Sequence, residues 1–152
     1  MSELIGTLAG ILIGFGLDRT YTGYKDRKHK QELKVNLKEE LKNCQLLLTG
    51  QGNLLPTIMW NSTITSGDIV LLSFANRTKL ASIYFEVDNH NYEAKRVRDI
   101  AATVNSFYGH VAGGPSTTAT EYWGTLSSDL KATEISLKQK ISNLLQDSMW
   151  ST

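Results

Sequence analysis

Residues 33 to 48 read LKVNLKEELKNCQLLL, and this stretch decides the fold of the chain. Its leucines and its one cysteine recur at intervals of four, four, three and four positions: Leu33, Leu37, Leu41, Cys44 and Leu48. This spacing places all five side chains on one face of an α-helix. Lysines and glutamates fill the other faces, and Gly50 and Gly52 end the pattern. The stretch therefore predicts an amphipathic helix that packs against other helices.

The rest of the chain favours the same fold class. Apolar residues, Tyr92 among them, recur at helical spacing over residues 76 to 108, with Asn76 as the N-cap, and again over residues 119 to 146. A short helix is predicted for residues 56 to 60, while residues 68 to 72 could form either a helix or a strand. The glycine-rich residues 109 to 118 are typical of a loop. We expect an all-α protein in which three long helices form an antiparallel bundle.

The first helix is predicted to run from residue 2 to residue 49, and its beginning has a different composition. Residues 4 to 17 carry no charge and distribute eight large apolar side chains around the helix. A helix that is apolar all round must be buried in protein or in lipid, and 152 residues provide little protein to surround it. Such a run rises only about 21 Å, against a hydrocarbon core of roughly 30 Å. A buried core helix therefore stays open beside a membrane anchor.

The flanking residues favour the membrane. Tyr21 and Tyr24 follow the apolar run, where interfacial aromatic residues would lie. Four basic residues come next: Lys25, Arg27, Lys28 and Lys30. Their position, with Glu3 on the other side, follows the positive-inside rule and could contact lipid headgroups. We expect a single-pass transmembrane helix within residues 1–24 and a cytoplasmic helical bundle over residues 25–152, with the N-terminus outside.

Three glycines interrupt the apolar run at equal spacing. Gly6, Gly10 and Gly14 lie four positions apart and therefore share one helix face. Glycine costs about 1 kcal/mol relative to alanine in a water-exposed helix, but in a membrane its small size lets a second helix approach closely. We interpret this glycine stripe as a helix–helix contact, either with a second copy of the chain or with another membrane protein. The alternative is that glycine is simply common in membrane helices.

The sequence contains no recognisable catalytic or metal-binding motif. His29, His90 and His110 have no second ligand at a metal-binding spacing, and Cys44 is the only cysteine. We predict no metal and no cofactor, and we expect His90 on a solvated face and Cys44 in the core. The net charge of +1 gives no reason to expect nucleic acid as a partner.

The tryptophans separate into two groups. Trp60 and Trp123, like Tyr84, fall within predicted helices and are expected in the core. Trp150 follows the last predicted helix, where we expect it to be exposed, and it is a weak candidate for contact with a partner or a membrane.

Several short motifs of the chain carry a resemblance to a known group of proteins. These are the glycine-rich apolar N-terminus, the KEELKN stretch of residues 38–43, Pro56 with Trp60, Ser66-Gly67, and Leu80 with Tyr84. Over residues 4 to 92 the chain resembles small single-pass membrane proteins of prokaryotes, whose function is uncharacterised. The resemblance implies a membrane-anchored helical architecture and no particular chemistry.

Three functions follow as hypotheses. The first is a membrane-anchored binding or structural protein, not an enzyme, that self-associates or serves as an accessory subunit of a membrane assembly. The second is an oligomeric pore-forming or membrane-permeabilising effector, in which several glycine stripes would pack into a ring. The third is an enzyme without a recognisable motif, which would require a cleft with perturbed ionisable groups.

Overall fold

The computed structural model describes residues 2–108 and 117–151, and the side chains of residues 22–104 and 121–151. Within these ranges the chain is all-helical, which confirms the predicted fold class. The long helices and one shorter helix are α1 Ser2–Leu47, α2 Ile58–Ser66, α3 Phe74–Tyr108 and α4 Thr117–Leu145. Short 3₁₀ turns follow α2 and α4 at Asp68–Leu71 and Ser148–Trp150.

Helix α1 is one continuous helix of 46 residues, as the sequence predicts. Its side chains from residue 22 to residue 29 are exposed. From Leu33 onward, each residue of the predicted apolar stripe is buried. The stripe is therefore the part of α1 that builds the core, and the described side chains before it are exposed, apart from the half-buried Lys30.

Helices α1, α3 and α4 pack around one hydrophobic core. Helix α3 contributes Leu80, Ile83, Tyr84 and Val87, and helix α4 contributes Leu130, Leu137, Ile141 and Leu144. On α3 they lie three, four and seven positions after Leu80, and on α4 they follow one another at intervals of seven, four and three, so each helix buries one face.

Helix α4 runs antiparallel to both of the other long helices. Against α3, Lys79 pairs with Asp147 near one end, and Arg96 donates to Tyr122 near the other. Against α1, the ammonium of Lys34 donates to the carbonyl of Ser151 at 2.9 Å. Helices α1 and α3 are therefore parallel, because residues 48 to 73 return along the bundle between them. The predicted antiparallel arrangement is correct for α4 and wrong for this pair.

The start of α2 is capped by a carboxylate from another helix. Glu40 of α1 accepts hydrogen bonds from the backbone amides of Met59 at 2.6 Å and Trp60 at 3.1 Å. Thr57, the residue before the helix, makes no side-chain cap. Because free amides and the helix dipole make a helix N-terminus positive, a buried carboxylate is well placed there.

Two boundaries differ from the prediction. Helix α2 begins at Ile58 and continues to Ser66, and the turn that follows it is 3₁₀ helix, so the strand alternative for residues 68 to 72 is wrong. Helix α3 begins at Phe74 because Ser73, and not Asn76, precedes it and accepts a hydrogen bond from the Asn76 amide at 3.3 Å. Of the predicted loop, residues 109 to 116 lie outside the described residues.

Across the part of the chain that the structure describes, no helix combines the length and apolar character needed to cross a membrane. The uncharged run of residues 4 to 17 is bounded by Glu3 on one side and by Asp18 and Arg19 on the other. Any longer window therefore includes charged residues. The transmembrane helix within residues 1–24 stays a prediction.

Candidate functional site

A buried polar cluster lies where residues 48–55 cross α3 and α4. His90 of α3 is fully buried and Glu134 of α4 is 2% exposed. The backbone amide of Gly52 donates to Oε1 of Glu134 at 2.9 Å, and Nε2 of His90 lies 3.0 Å from the carbonyl oxygen of Asn53. The cluster therefore joins two helices through the backbone of the segment between α1 and α2.

The backbone of this segment approaches the helices closely because of its glycines. Gly52 has a φ of +65°, and a Cβ at this position would lie 3.0 Å from a methyl group of Leu130. Side chains of α3 satisfy the polar groups that this irregular backbone exposes. Arg98 donates to the Gly52 carbonyl, and Asn91 both accepts from the amide of Leu55 and donates to its carbonyl.

The hydrogen bond to Asn53 shows which ring nitrogen of His90 carries the proton. A carbonyl oxygen can only accept, so Nε2 of His90 donates its proton to Asn53. Nδ1 of His90 and Oε2 of Glu134 are buried without a hydrogen-bond partner within the described residues. Each such atom costs roughly 1–3 kcal/mol relative to a satisfied one. The cluster therefore contains two buried polar atoms that could still form hydrogen bonds, Nδ1 of His90 and Oε2 of Glu134.

A cavity of about 460 Å³ opens beside Glu134. It is lined by Leu48, Thr49, Gly50, Lys131, Glu134, Ile135 and Lys138. The ammonium of Lys138 donates to the Leu48 carbonyl at 3.1 Å, and Lys131 is exposed. The cavity thus offers a carboxylate that accepts hydrogen bonds and two ammonium groups. These charged groups could bind a polar ligand of mixed charge.

A second polar cluster lies around Tyr84, and its contacts hold α1, α2 and α3 together. The Tyr84 hydroxyl donates to Glu40 at 2.8 Å, and its ring stacks on Trp60 with 4.6 Å between centroids. Cys44 donates to the carbonyl of Pro56 at 3.4 Å. Burial, followed by the charge of Glu40, raises the pKa of Cys44 to about 12 and raises the pKa of Tyr84. A thiol in this state is protonated at neutral pH and unreactive.

Within the described side chains, no group of three or more histidines, cysteines or carboxylates could hold a metal ion. The expectation that the protein has no metal and no cofactor stays a prediction.

The predicted membrane residues lie along α1. Gly6, Gly10 and Gly14 fall within one unbroken helix, so their spacing places them on one face; their contacts and those of Tyr21 lie outside the described side chains. Tyr24 is exposed. Lys25, Arg27 and Lys28 are exposed, and Lys30 is half-buried.

The structure corrects the expected environment of four residues. His90 is buried where a solvated face was expected. Trp123 and Tyr92 are exposed although the helical pattern assigned them to the core. Trp150 is half-buried where full exposure was expected, because its indole Nε1 donates to the Leu144 carbonyl at 2.6 Å. Its role in contacting a partner stays a prediction.

Glu134 was not predicted as a site residue, although its position in the sequence indicated burial. It lies four residues after Leu130 and three residues before Leu137, so it falls on the apolar stripe of α4. A glutamate at such a position must be paired when the helix packs. His90 lies in the same way between Val87 and Ala94 on α3. The helical spacing of both residues indicated that they are buried, whereas their polar side chains indicated the opposite.

Comparison of the chain with protein-family models, with curated proteins and with solved structures found no match.

Proposed function

We propose that this protein is a membrane-anchored binding or structural protein, and not an enzyme, whose helical bundle is held at a bilayer by the first part of α1. The observation that carries the proposal is the continuity of α1 from the uncharged residues 4 to 17 into the core stripe that begins at Leu33. At a rise of about 1.5 Å per residue, Leu17 is roughly 24 Å from Leu33 along the helix. This distance leaves room for a membrane surface between the apolar run and the bundle.

The residues in this interval suit an anionic lipid surface. Lys25, Arg27 and Lys28 are exposed, and each cation near such a surface contributes about 1 kcal/mol of attraction. Tyr24 is also exposed, at a position typical of interfacial aromatic residues. The uncharged run is shorter than the hydrocarbon core, so insertion requires local thinning of the bilayer.

The glycine stripe supports association within the membrane. Gly6, Gly10 and Gly14 on one face would let a second helix approach and gain dispersion contacts. A second copy of the chain or another membrane protein would provide that helix. The bundle would then be a cytoplasmic binding module attached to the resulting assembly.

Extraction of isolated membranes with alkaline carbonate tests the anchor. We expect the full chain to stay in the membrane pellet and Ile13→Lys, within the uncharged run, to become extractable. Val35→Lys is the matched control, because Val35 is an exposed residue on the same helix. Extraction of the wild-type chain by carbonate would contradict the anchor, the topology and the lipid contacts together.

A further inference from the structure

Three aromatic side chains form an exposed stripe along the outer face of α3. Phe74, Phe85 and Tyr92 are 78%, 67% and 68% exposed. At about 100° per residue, they lie within roughly 20° of one another around the helix. The buried residues of α3, among them Ile83 and Val87, lie on the other side. The stripe therefore faces away from the core.

Such a stripe is unusual on a surface that contacts only water. Single exposed apolar residues are common, but aligned aromatic residues mark an interaction surface. Thr78 and Ala81 continue the stripe between Phe74 and Phe85, and both are exposed. The stripe thus extends over about 27 Å of helix, from Phe74 to Tyr92.

We propose that this stripe binds the same stripe of a second copy, with the two α3 helices antiparallel about a two-fold axis near residue 83. In this register Phe74 faces Tyr92 of the other copy. Phe85 faces Ala81, so a large side chain meets a small one on each side of the axis. Such pairing of large with small residues lets helices pack closely. This inference does not rest on the membrane anchor, and it describes a different assembly from two copies side by side in one bilayer. Because α1 is parallel to α3, the antiparallel pair points the two α1 helices in opposite directions.

The charges beside the stripe fit the same register. Arg77 and Asp88 lie on the same flank of α3, and the axis brings Arg77 of each copy opposite Asp88 of the other. The guanidinium of Arg77 lies 5.9 Å from the ring centroid of Phe74, and its buried Nε has no hydrogen-bond partner within the described residues. Asp88 is exposed and forms no ion pair within the described side chains. In a parallel pair in register, Arg77 and Asp88 would instead lie eleven residues apart along the helices, about 16 Å, and could not pair.

The exposed area is close to what a small dimer interface buries. An aromatic side chain can bury about 200 Å², so three that are about 70% exposed provide roughly 400 Å² per copy. With the contributions of Thr78, Ala81, Arg77 and Asp88, each copy approaches the roughly 600 Å² at the lower end of stable interfaces. We expect a weak to moderate dimer with a defined register.

Charge reversal tests this dimer in the full chain. All proteins carry Gly10→Leu, so that the glycine stripe does not contribute, and sedimentation velocity measures association. We expect Arg77→Asp alone and Asp88→Arg alone each to weaken the dimer at least tenfold, because each places like charges opposite one another. An equal mixture of the two variants should recover the dimer, because both contacts then join opposite charges.

Asp129→Arg on α4 is the matched control, since it makes the same charge change at an exposed position away from the stripe. Circular dichroism checks that every variant is folded. The inference would be overturned if the Gly10→Leu protein with an otherwise unchanged α3 stays monomeric. Two reversal variants that associate as tightly as the control would also overturn it, as would a mixture that associates no better than its components.

Discussion

His90 of α3 and Glu134 of α4 are buried together, with Nε2 of the imidazole 3.8 Å from Oε1 of the carboxylate. The two atoms are not hydrogen-bonded to each other. Nε2 donates to the Asn53 carbonyl, and Oε1 accepts from the Gly52 amide. The two side chains therefore bind backbone groups of two adjacent residues in one irregular segment. This arrangement fixes where the chain crosses from α1 to α2.

We expect Glu134→Ala to destabilise the fold. The substitution leaves the Gly52 amide buried without an acceptor, which costs about 1–3 kcal/mol in the free energy of unfolding. Urea unfolding measures the loss. Glu121→Ala, at an exposed position of the same helix, should change stability by less than about 0.5 kcal/mol. Equal effects from the two variants would contradict the role of Glu134.

Two glycine substitutions should have opposite effects. Gly52→Ala forces a side chain onto a φ of +65° and to within 3.0 Å of Leu130, so we expect a loss of about 1–3 kcal/mol. Gly124→Ala lies within α4 with nothing within 4 Å of the added carbon, so we expect a gain of up to about 1 kcal/mol. Thermal unfolding compares them, and a neutral Gly52→Ala would show that the segment is not tightly held.

Stability should fall at alkaline pH because of Cys44. Burial raises the pKa of this thiol from 9.0 to about 12. Between these values the unfolded chain has lost the proton and the folded chain retains it, so the unfolded state is favoured increasingly as pH rises. We expect Cys44→Ala to reduce this slope in the unfolding free energy.

The Tyr84 hydroxyl adds to the same slope, because burial also raises its pKa. The Cys44→Ala variant should therefore keep a smaller dependence on pH. An identical slope for wild type and variant would show that the thiol titrates normally. Alkylation of Cys44 at neutral pH should in turn be slow in the folded chain and fast in urea.

The ion pair of Lys79 and Asp147 should be visible by titration. The hydrogen bond from Lys79, followed by that from the Met149 amide, lowers the pKa of Asp147 below its ordinary 3.8. Stability from this pair is therefore present above that pH and is lost as pH falls through the lowered pKa. In Lys79→Ala, carbon-detected NMR should show the pKa of Asp147 moving up. Lys95→Ala, an exposed lysine on the same helix, should leave it unchanged.

The long helices were predictable because each depends on its own periodicity. The five residues of the stripe from Leu33 to Leu48 are all buried as predicted, since a helix with a single apolar face has one way to pack. Helix α2 was underestimated because its cap comes from Glu40, which is 19 residues away from Met59. A local pattern cannot indicate a cap that another helix supplies.

The polar cluster was only partly predictable for a similar reason. The positions of His90 and Glu134 indicated burial, but their partners are backbone groups of residues 52 and 53, which no side-chain pattern marks. Tyr92 was misassigned because an aromatic residue was taken as apolar. It lies five residues after Val87 and two before Ala94, and therefore off the buried face.

The antiparallel contact between α1 and α4 also determines when the protein can fold. Lys34 bonds to Ser151 across 117 residues, and Lys138 to Leu48 across 90. During synthesis at roughly 5–20 residues per second, the leucines of α1 therefore wait several seconds for the helix that covers them. A nascent chain exposes this apolar face throughout that interval, so it is then a substrate for chaperones and a site where two unfinished chains can aggregate.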